Sequence, residues 1–137
     1  MIRYVVDASC IGPLVLRDEA ANAIAEVLRA LERGECMVPA HWRFEVANML
    51  VMAERRGRIE PNTAAENLAD LDALPIEIDA EPLAQAWSET IALARLHRLT
   101  VYDSAYLELA KRLSLVLVST DKKLLAAAAL EGVETVS

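Results

Sequence analysis

Four carboxylates spread along this chain of 137 residues, Asp7, Glu45, Asp103 and Asp121, each stand in a local setting that a metal site requires. Asp7 ends the apolar run Tyr4-Val5-Val6, and Asp121 follows the run Leu115 to Val118, so both read as acids at strand exits. Ligands of open α/β sheets bind outside the carboxyl ends of the strands, which lets two such acids converge on one point although they are far apart in sequence. Carboxylate oxygens suit Mg²⁺ or Mn²⁺. One or two such ions polarise a phosphodiester and lower the pKa of a water that attacks in line. Clustered acids without a cation would repel one another and force at least one pKa upward.

Each acid also has a plainer use. Asp7 precedes a helical stretch that it could cap, and Asp103 and Asp121 each open another, where aspartate is a common N-cap. Glu45 borders the apolar stripe Val46, Met49, Leu50 and Ala53 on a helix, a place where glutamate is usually solvated. Ser9, and either Ser119 or Thr120, supply hydroxyls that could orient such ligands. Neither His41 nor His97 has metal-type spacing to the cysteines, so a zinc site is not expected.

The elements that must position these residues alternate between short apolar runs and helix-period stretches. Strands are expected near residues 2–6, 36–38, 75–78, 115–119 and 133–136, and helices near 8–16, 20–33, 40–56, 61–73, 80–97, 103–113 and 121–131. Gly34 and Gly57 follow basic last turns and read as helix stops. Pro61 and Pro82 suit first helical turns, with Asp79 as a cap before the second. Such alternation, with β-branched strands, implies an α/β fold built on a mostly parallel sheet covered on both faces.

Length and an apolar content of 55% fit one domain spanning residues 1–137 with a sizeable core. No apolar stretch reaches the roughly 18 residues of a membrane span, and Asp7 interrupts any signal-peptide reading, so a cytoplasmic protein away from membranes is expected. Cys10 and Cys36 then read as reduced core residues. A net charge of −7 argues against binding nucleic acid through a coat of basic side chains. An acidic site would instead meet phosphate through its cation. Arg43, Arg55, Arg56, Arg58, Lys122 and Lys123 are candidate contacts to a nucleic-acid backbone, although a solvated face is the ordinary role of each.

The ordered blocks Asp7-Ala8-Ser9, Phe44-Glu45-Val46-Ala47-Asn48-Met49-Leu50, Leu99 to Ala110 around Tyr102-Asp103-Ser104, and Leu117-Val118-Ser119-Thr120-Asp121-Lys122-Lys123-Leu124 resemble a PIN-domain ribonuclease. The likeness is closest to the VapC-type toxins of toxin–antitoxin pairs and spans nearly the whole chain. It implies a three-layer α/β/α sandwich with a mostly parallel five-stranded sheet. It also implies Mg²⁺ or Mn²⁺ held by Asp7, Glu45, Asp103 and Asp121, and endonucleolytic RNA cleavage leaving 5′-phosphate and 3′-hydroxyl ends. Ser9 and Ser119 match hydroxyl positions of the family, with Thr120 beside the latter. Asn48 matches a polar position one turn beyond the helical Glu, where it would hold Glu45, reach substrate or simply bond within the helix bundle. A homodimer and a cognate antitoxin, a protein whose apolar segment fills a groove, are the implied partners. Trp42, Met49, Met52 and Trp87, with the alanine-rich face of 61–73, read as core by default, and any of this apolar surface beyond what one small domain can bury would suit such partners. Two other classes compete: a non-catalytic PIN-like protein-binding module, and a phosphoryl-transfer enzyme with its Asp after the first strand. The second would want a further acid beside Asp7.

Overall fold

The computed structural model describes residues 3–12, 23–79 and 82–137. Its sheet has five strands, β1 (Tyr4–Val6), β2 (Cys36–Val38), β3 (Glu77–Ile78), β4 (Val116–Val118) and β5 (Thr135–Val136), all parallel in the order β3-β2-β1-β4-β5. Side chains alternate between the two faces of a strand, yet every residue of β2 and β4 is buried, so both faces of the central sheet are covered. The result is the expected three-layer α/β/α sandwich.

Seven α-helices cover it among the described residues: α1 (Ala23–Glu32), α2 (Trp42–Arg55), α3 (Pro61–Asp72), α4 (Pro82–Ala86), α5 (Glu89–His97), α6 (Val101–Leu113) and α7 (Lys122–Leu130). Val5, Val6, Val38, Leu117 and Val118 from the strands meet Leu31, Leu50, Tyr106, Leu107, Leu109 and Leu124 from the helices in one core. Pro61 occupies the first turn of α3, where its missing N–H costs nothing. Gly34 and Gly57 adopt φ of +70° and +71°, the left-handed conformation expected of helix stops.

Three expected elements differ. The stretch 80–97 is not one helix. Its described part divides at Trp87-Ser88, where the Ser88 hydroxyl and amide both bond the Gln85 carbonyl, a local alternative to continuing the helix. The helix expected from residue 103 begins at Val101, because Thr100 rather than Asp103 is its cap. After β1 the chain makes a 3₁₀ turn, Ala8–Cys10. The remainder of the helix expected at 8–16 from residue 13, and residues 20–22 of the next, lie outside the described residues.

The strand order decides where a site can form. From β1 the chain builds outward on one side through β2 and β3, and β4 then returns to β1's other side. The switch point therefore lies between β1 and β4, and a crevice opens beyond their carboxyl ends. Their register pairs Val6 with Val118, which sets the next residues, Asp7 and Ser119, side by side at its mouth.

Candidate active site

Asp7 is almost entirely buried, at 4% exposure. Its Oδ2 accepts hydrogen bonds from Ser119 Oγ at 2.7 Å and Ser9 Oγ at 2.8 Å, with the two hydroxyls 3.5 Å apart. Those serines are themselves fixed by backbone amides, Asp121 N–H donating to Ser119 Oγ at 2.9 Å and Thr120 N–H to Ser9 Oγ at 3.1 Å. Burial pushes the Asp7 carboxyl above its ordinary value, and the charges of Glu45 and Asp103 add to the rise against the lowering by both serines. Of the two hydroxyls the sequence left open, Ser119 is the one at Asp7. Thr120 is exposed and contributes its amide.

Glu45 comes from the first turn of α2, where a carboxylate is favoured by the helix dipole. Its Oε1 accepts from Tyr106 Oη at 2.6 Å and lies 3.2 Å from His41 Nε2. Burial acts to raise this carboxyl and is the largest single influence. Hydrogen bonds from His41 and Tyr106, with the His41 charge, outweigh it and hold the group below its usual value. His41 Nε2 also lies 3.0 Å from the Tyr102 carbonyl. Both neighbours are acceptors, so Nε2 carries the proton. The imidazole packs against the rings of Tyr106 and Tyr102, with centroids 5.2 and 5.7 Å away.

Asp103 sits in the first turn of α6 but does not cap it. Thr100 Oγ1 accepts the Asp103 amide at 3.1 Å, which leaves the carboxylate available for other work. Burial raises its pKa first, then the charge of Asp121, with Glu45 adding to the rise. Asp121 does cap its helix: Oδ1 accepts the amides of Lys123 at 2.9 Å and Leu124 at 3.2 Å. The plainer use of an acid is thus real at Asp121, while Asp7 makes no side-chain cap bond to the turn after it.

Charges from separate segments act on two of the carboxylates: Glu45 and Asp103 on Asp7, and Asp121 and Glu45 on Asp103. Among the described residues no three acid, histidine or cysteine side chains form a preformed cage for one ion. The donors are all oxygens, and Asp7 and Asp103 are raised chiefly by burial with a further push from like-charged neighbours, so the set fits a hard divalent cation in its chemistry.

Sequence reasoning missed His41 and Tyr106. The i, i+4 spacing of His41 and Glu45 was a readable signal, since such pairs share a helix face. Nothing local pointed to Tyr106, which reaches Glu45 across 61 residues of chain. Asn48 is exposed and its side chain makes no hydrogen bond among the described residues, neither to Glu45 nor within the bundle. It lines a groove on α2 with Met49, Met52, Ala53, Arg56 and Arg58. Arg43 is engaged by Asp72 at 2.8 Å, whereas Lys122 and Lys123 are exposed at the start of α7 beside Asp121. Cys10 and Cys36 are free, buried thiols pushed up to about 12 by burial, too high to act as thiolates.

The family model for the PIN domain matches residues 4–130. The chain belongs to the PIN-domain family. It is 32% identical over 124 residues to Ribonuclease VapC3 of Pyrobaculum aerophilum, covering 90% of this chain and 92% of that protein. With Ribonuclease VapC3 of Mycobacterium tuberculosis it shares 34% identity over 124 residues, covering 89% and 85%. The crystal structure of PAE2754 from Pyrobaculum aerophilum superposes with a TM-score of 0.72 at 26% identity, covering 98% of this chain and 89% of that chain. Within the PIN family, its relatives are the VapC-type ribonucleases.

Proposed function

We propose that this protein is a metal-dependent endoribonuclease and the toxin of a type II toxin–antitoxin pair. The observation that carries the reading is the placement of Asp7 and Ser119 side by side at the carboxyl ends of β1 and β4, with Asp121 two residues beyond Ser119 and Glu45 and Asp103 near enough for their charges to act on Asp7. The four acids would hold Mg²⁺ or Mn²⁺, whose chemistry is to polarise a phosphate ester and make water nucleophilic near neutral pH. Ser9 and Ser119 both donate to one oxygen of Asp7, which fixes the orientation of the carboxylate that would bind the cation. Tyr106 and His41 keep Glu45 ionised and locked in place. Thr100 takes the capping duty that would otherwise occupy Asp103. Lys122 and Lys123, exposed beside Asp121, are the basic groups this reading assigns to the RNA backbone, and Asn48, exposed on α2, would reach the substrate there.

The partners that suit this reading are single-stranded RNA as substrate, a cognate antitoxin protein and a second copy of the chain. Phe44, Trp87, Leu96 and Leu130 are exposed apolar side chains of the kind such protein partners cover. Cytoplasmic action fits a toxin of RNA, and no described helix is long and apolar enough to cross a membrane.

One observation favours a second reading. The absence of a preformed cage among the described residues suits a PIN-like module that binds protein without catalysis. Titration of the purified protein with Mn²⁺, followed by electron paramagnetic resonance, separates the two. The nuclease reading expects bound Mn²⁺ that is lost in Asp7→Asn; equal and negligible binding by both proteins would contradict it.

A further inference from the structure

Tyr102 is 64% exposed, although Tyr106, one turn further along α6, is fully buried. Its hydroxyl makes no hydrogen bond among the described residues, so the side chain serves little of the fold beyond its contact with His41. The ring is nevertheless held in place. The Tyr102 carbonyl accepts a hydrogen bond from His41 Nε2 at 3.0 Å, and the imidazole lies against the ring at 56° with centroids 5.7 Å apart. The same imidazole reaches Glu45 at 3.2 Å, and Asp103 follows Tyr102 directly in the chain. One histidine thus braces an open aromatic face and a carboxylate of the acid site. A ring fixed before its ligand arrives loses little side-chain freedom on binding.

Beside the ring opens a cleft of about 230 Å³ with a mainly apolar lining, to which Pro39, Val101 and Ala105 contribute with Tyr102. Asp79 and Glu108 also line it, but both oxygens of each already take the Arg112 guanidinium. The surface on offer is therefore chiefly apolar. What suits it is a flat group held by its face, without a hydrogen-bonded reading of its edge. An unpaired nucleobase has that chemistry, and since every base has a π face the recognition tolerates any sequence. An apolar side chain of a protein partner seated here would strip water from Asp103 and Glu45 with nothing to offset their charge. A nucleotide instead carries its phosphate to the cation that those acids would hold.

We propose that Tyr102 is a stacking platform that holds one unpaired base of the RNA, whatever its identity, beside the phosphate to be cut. The proposal rests on the ribonuclease reading above for that phosphate, but stacking is measurable without cleavage. Fluorescence anisotropy follows the binding of a labelled single-stranded tetrauridylate and of the same sugar–phosphate strand without its bases. The titrations are run in Ca²⁺, a hard cation that takes the same oxygen ligands, and strand integrity is checked after each. The wild type is expected to bind the base-bearing strand about tenfold more tightly than the baseless one, and Tyr102→Ala to bind the two alike. Tyr102→Phe keeps the ring and should keep the tenfold preference. Tyr102→Leu keeps apolar bulk without a ring and should lose it. A tetraadenylate strand should show the same dependence on the ring, and unchanged binding of the baseless strand shows that each variant remains folded.

Equal affinity of the wild type for the two strands, no binding of either, or a base preference that survives in Tyr102→Ala would overturn the proposal. So would a preference kept by Tyr102→Leu, which would reduce the role of the ring to apolar bulk. A change of sedimentation in Tyr102→Ala, with its base preference intact, would mark the ring as a contact between copies of the chain instead. Ring-dependent base binding by a protein that cuts no RNA would leave the platform standing and remove the nuclease. Metal-dependent cleavage with base-independent binding would do the reverse.

Discussion

Asp7→Asn separates what a buried carboxylate costs the fold from what it gives the site. The wild-type group is 4% exposed and accepts two hydroxyl hydrogen bonds. Hydrogen bonds to a charged group are worth about 1.5–3 kcal/mol each, and an amide in the same place keeps part of that, because its oxygen still accepts one hydroxyl and its nitrogen can donate to the other. Against this loss of about 2 kcal/mol stands the desolvation of the ion, several kcal/mol even after relaxation. Repulsion from Glu45 and Asp103 adds to that cost. The balance favours Asn by about 1 kcal/mol in metal-free protein at neutral pH, or about 3 °C in melting temperature for a domain of this size.

The pH dependence carries the sign. Asp7 has a folded pKa above its unfolded one, so between the two values the native state binds more protons and stability falls as pH rises. Thermal melts in EDTA should therefore show the variant overtaking the wild type as pH rises from below the ordinary aspartate value toward neutrality, with the gap closing at the acid end. A variant destabilised by more than about 2 kcal/mol at neutral pH would refute this balance of burial and hydrogen bonding.

Tyr106→Phe removes the 2.6 Å bond that helps hold Glu45 ionised, so the acid limb of the pH–rate profile should move upward and cleavage fall about tenfold; an unmoved limb would count against Tyr106 as a positioning residue. Ser119→Ala deletes a fully buried hydroxyl that bonds both Asp7 and the Asp121 amide, and urea unfolding should report a loss of about 2 kcal/mol. Arg112→Met removes the guanidinium that two buried acids, Asp79 and Glu108, share, and should cost about 3–5 kcal/mol at neutral pH by the same measurement. That loss should shrink as pH falls, because burial already holds the Glu108 carboxyl high and protonation relieves the unpaired charge.

The parts of this molecule that obey local rules were readable in the sequence. Strands of consecutive β-branched and apolar residues, the glycine stops at Gly34 and Gly57 and the proline start of α3 all appear where periodicity and turn chemistry put them. Asp7 was readable for the same reason, as an acid at a strand end, whereas the choice between Ser119 and Thr120 stayed open until the register of β4 was known. The misplacements have physical causes that no window of sequence displays. Thr100 and Asp103 are both competent caps three residues apart, and only the structure shows threonine taking the role and releasing the acid. Arg98 and Ser114 end α5 and α6 in the left-handed conformation, at φ of 56° and 55°, without the glycine that usually signals it. Tyr106 acts on Glu45 from another helix, and Asp79 joins the Arg112–Glu108 pair of α6 from a segment 33 residues away. Of the surplus apolar residues, Trp42 proves to be core while Trp87 is 90% exposed.

The central claim is that the four acids act together with a divalent cation to cut RNA. Purified protein freed of any partner should be incubated with a mixed RNA pool in Mg²⁺, in Mn²⁺ and in EDTA, beside an Asp103→Asn variant prepared identically. Asp103 is the informative choice because it caps nothing and its loss should leave the fold intact. Cleavage that requires the metal and disappears in the variant is the predicted result. Absence of cleavage in either metal by the folded wild type, or undiminished cleavage by the variant, would contradict the account.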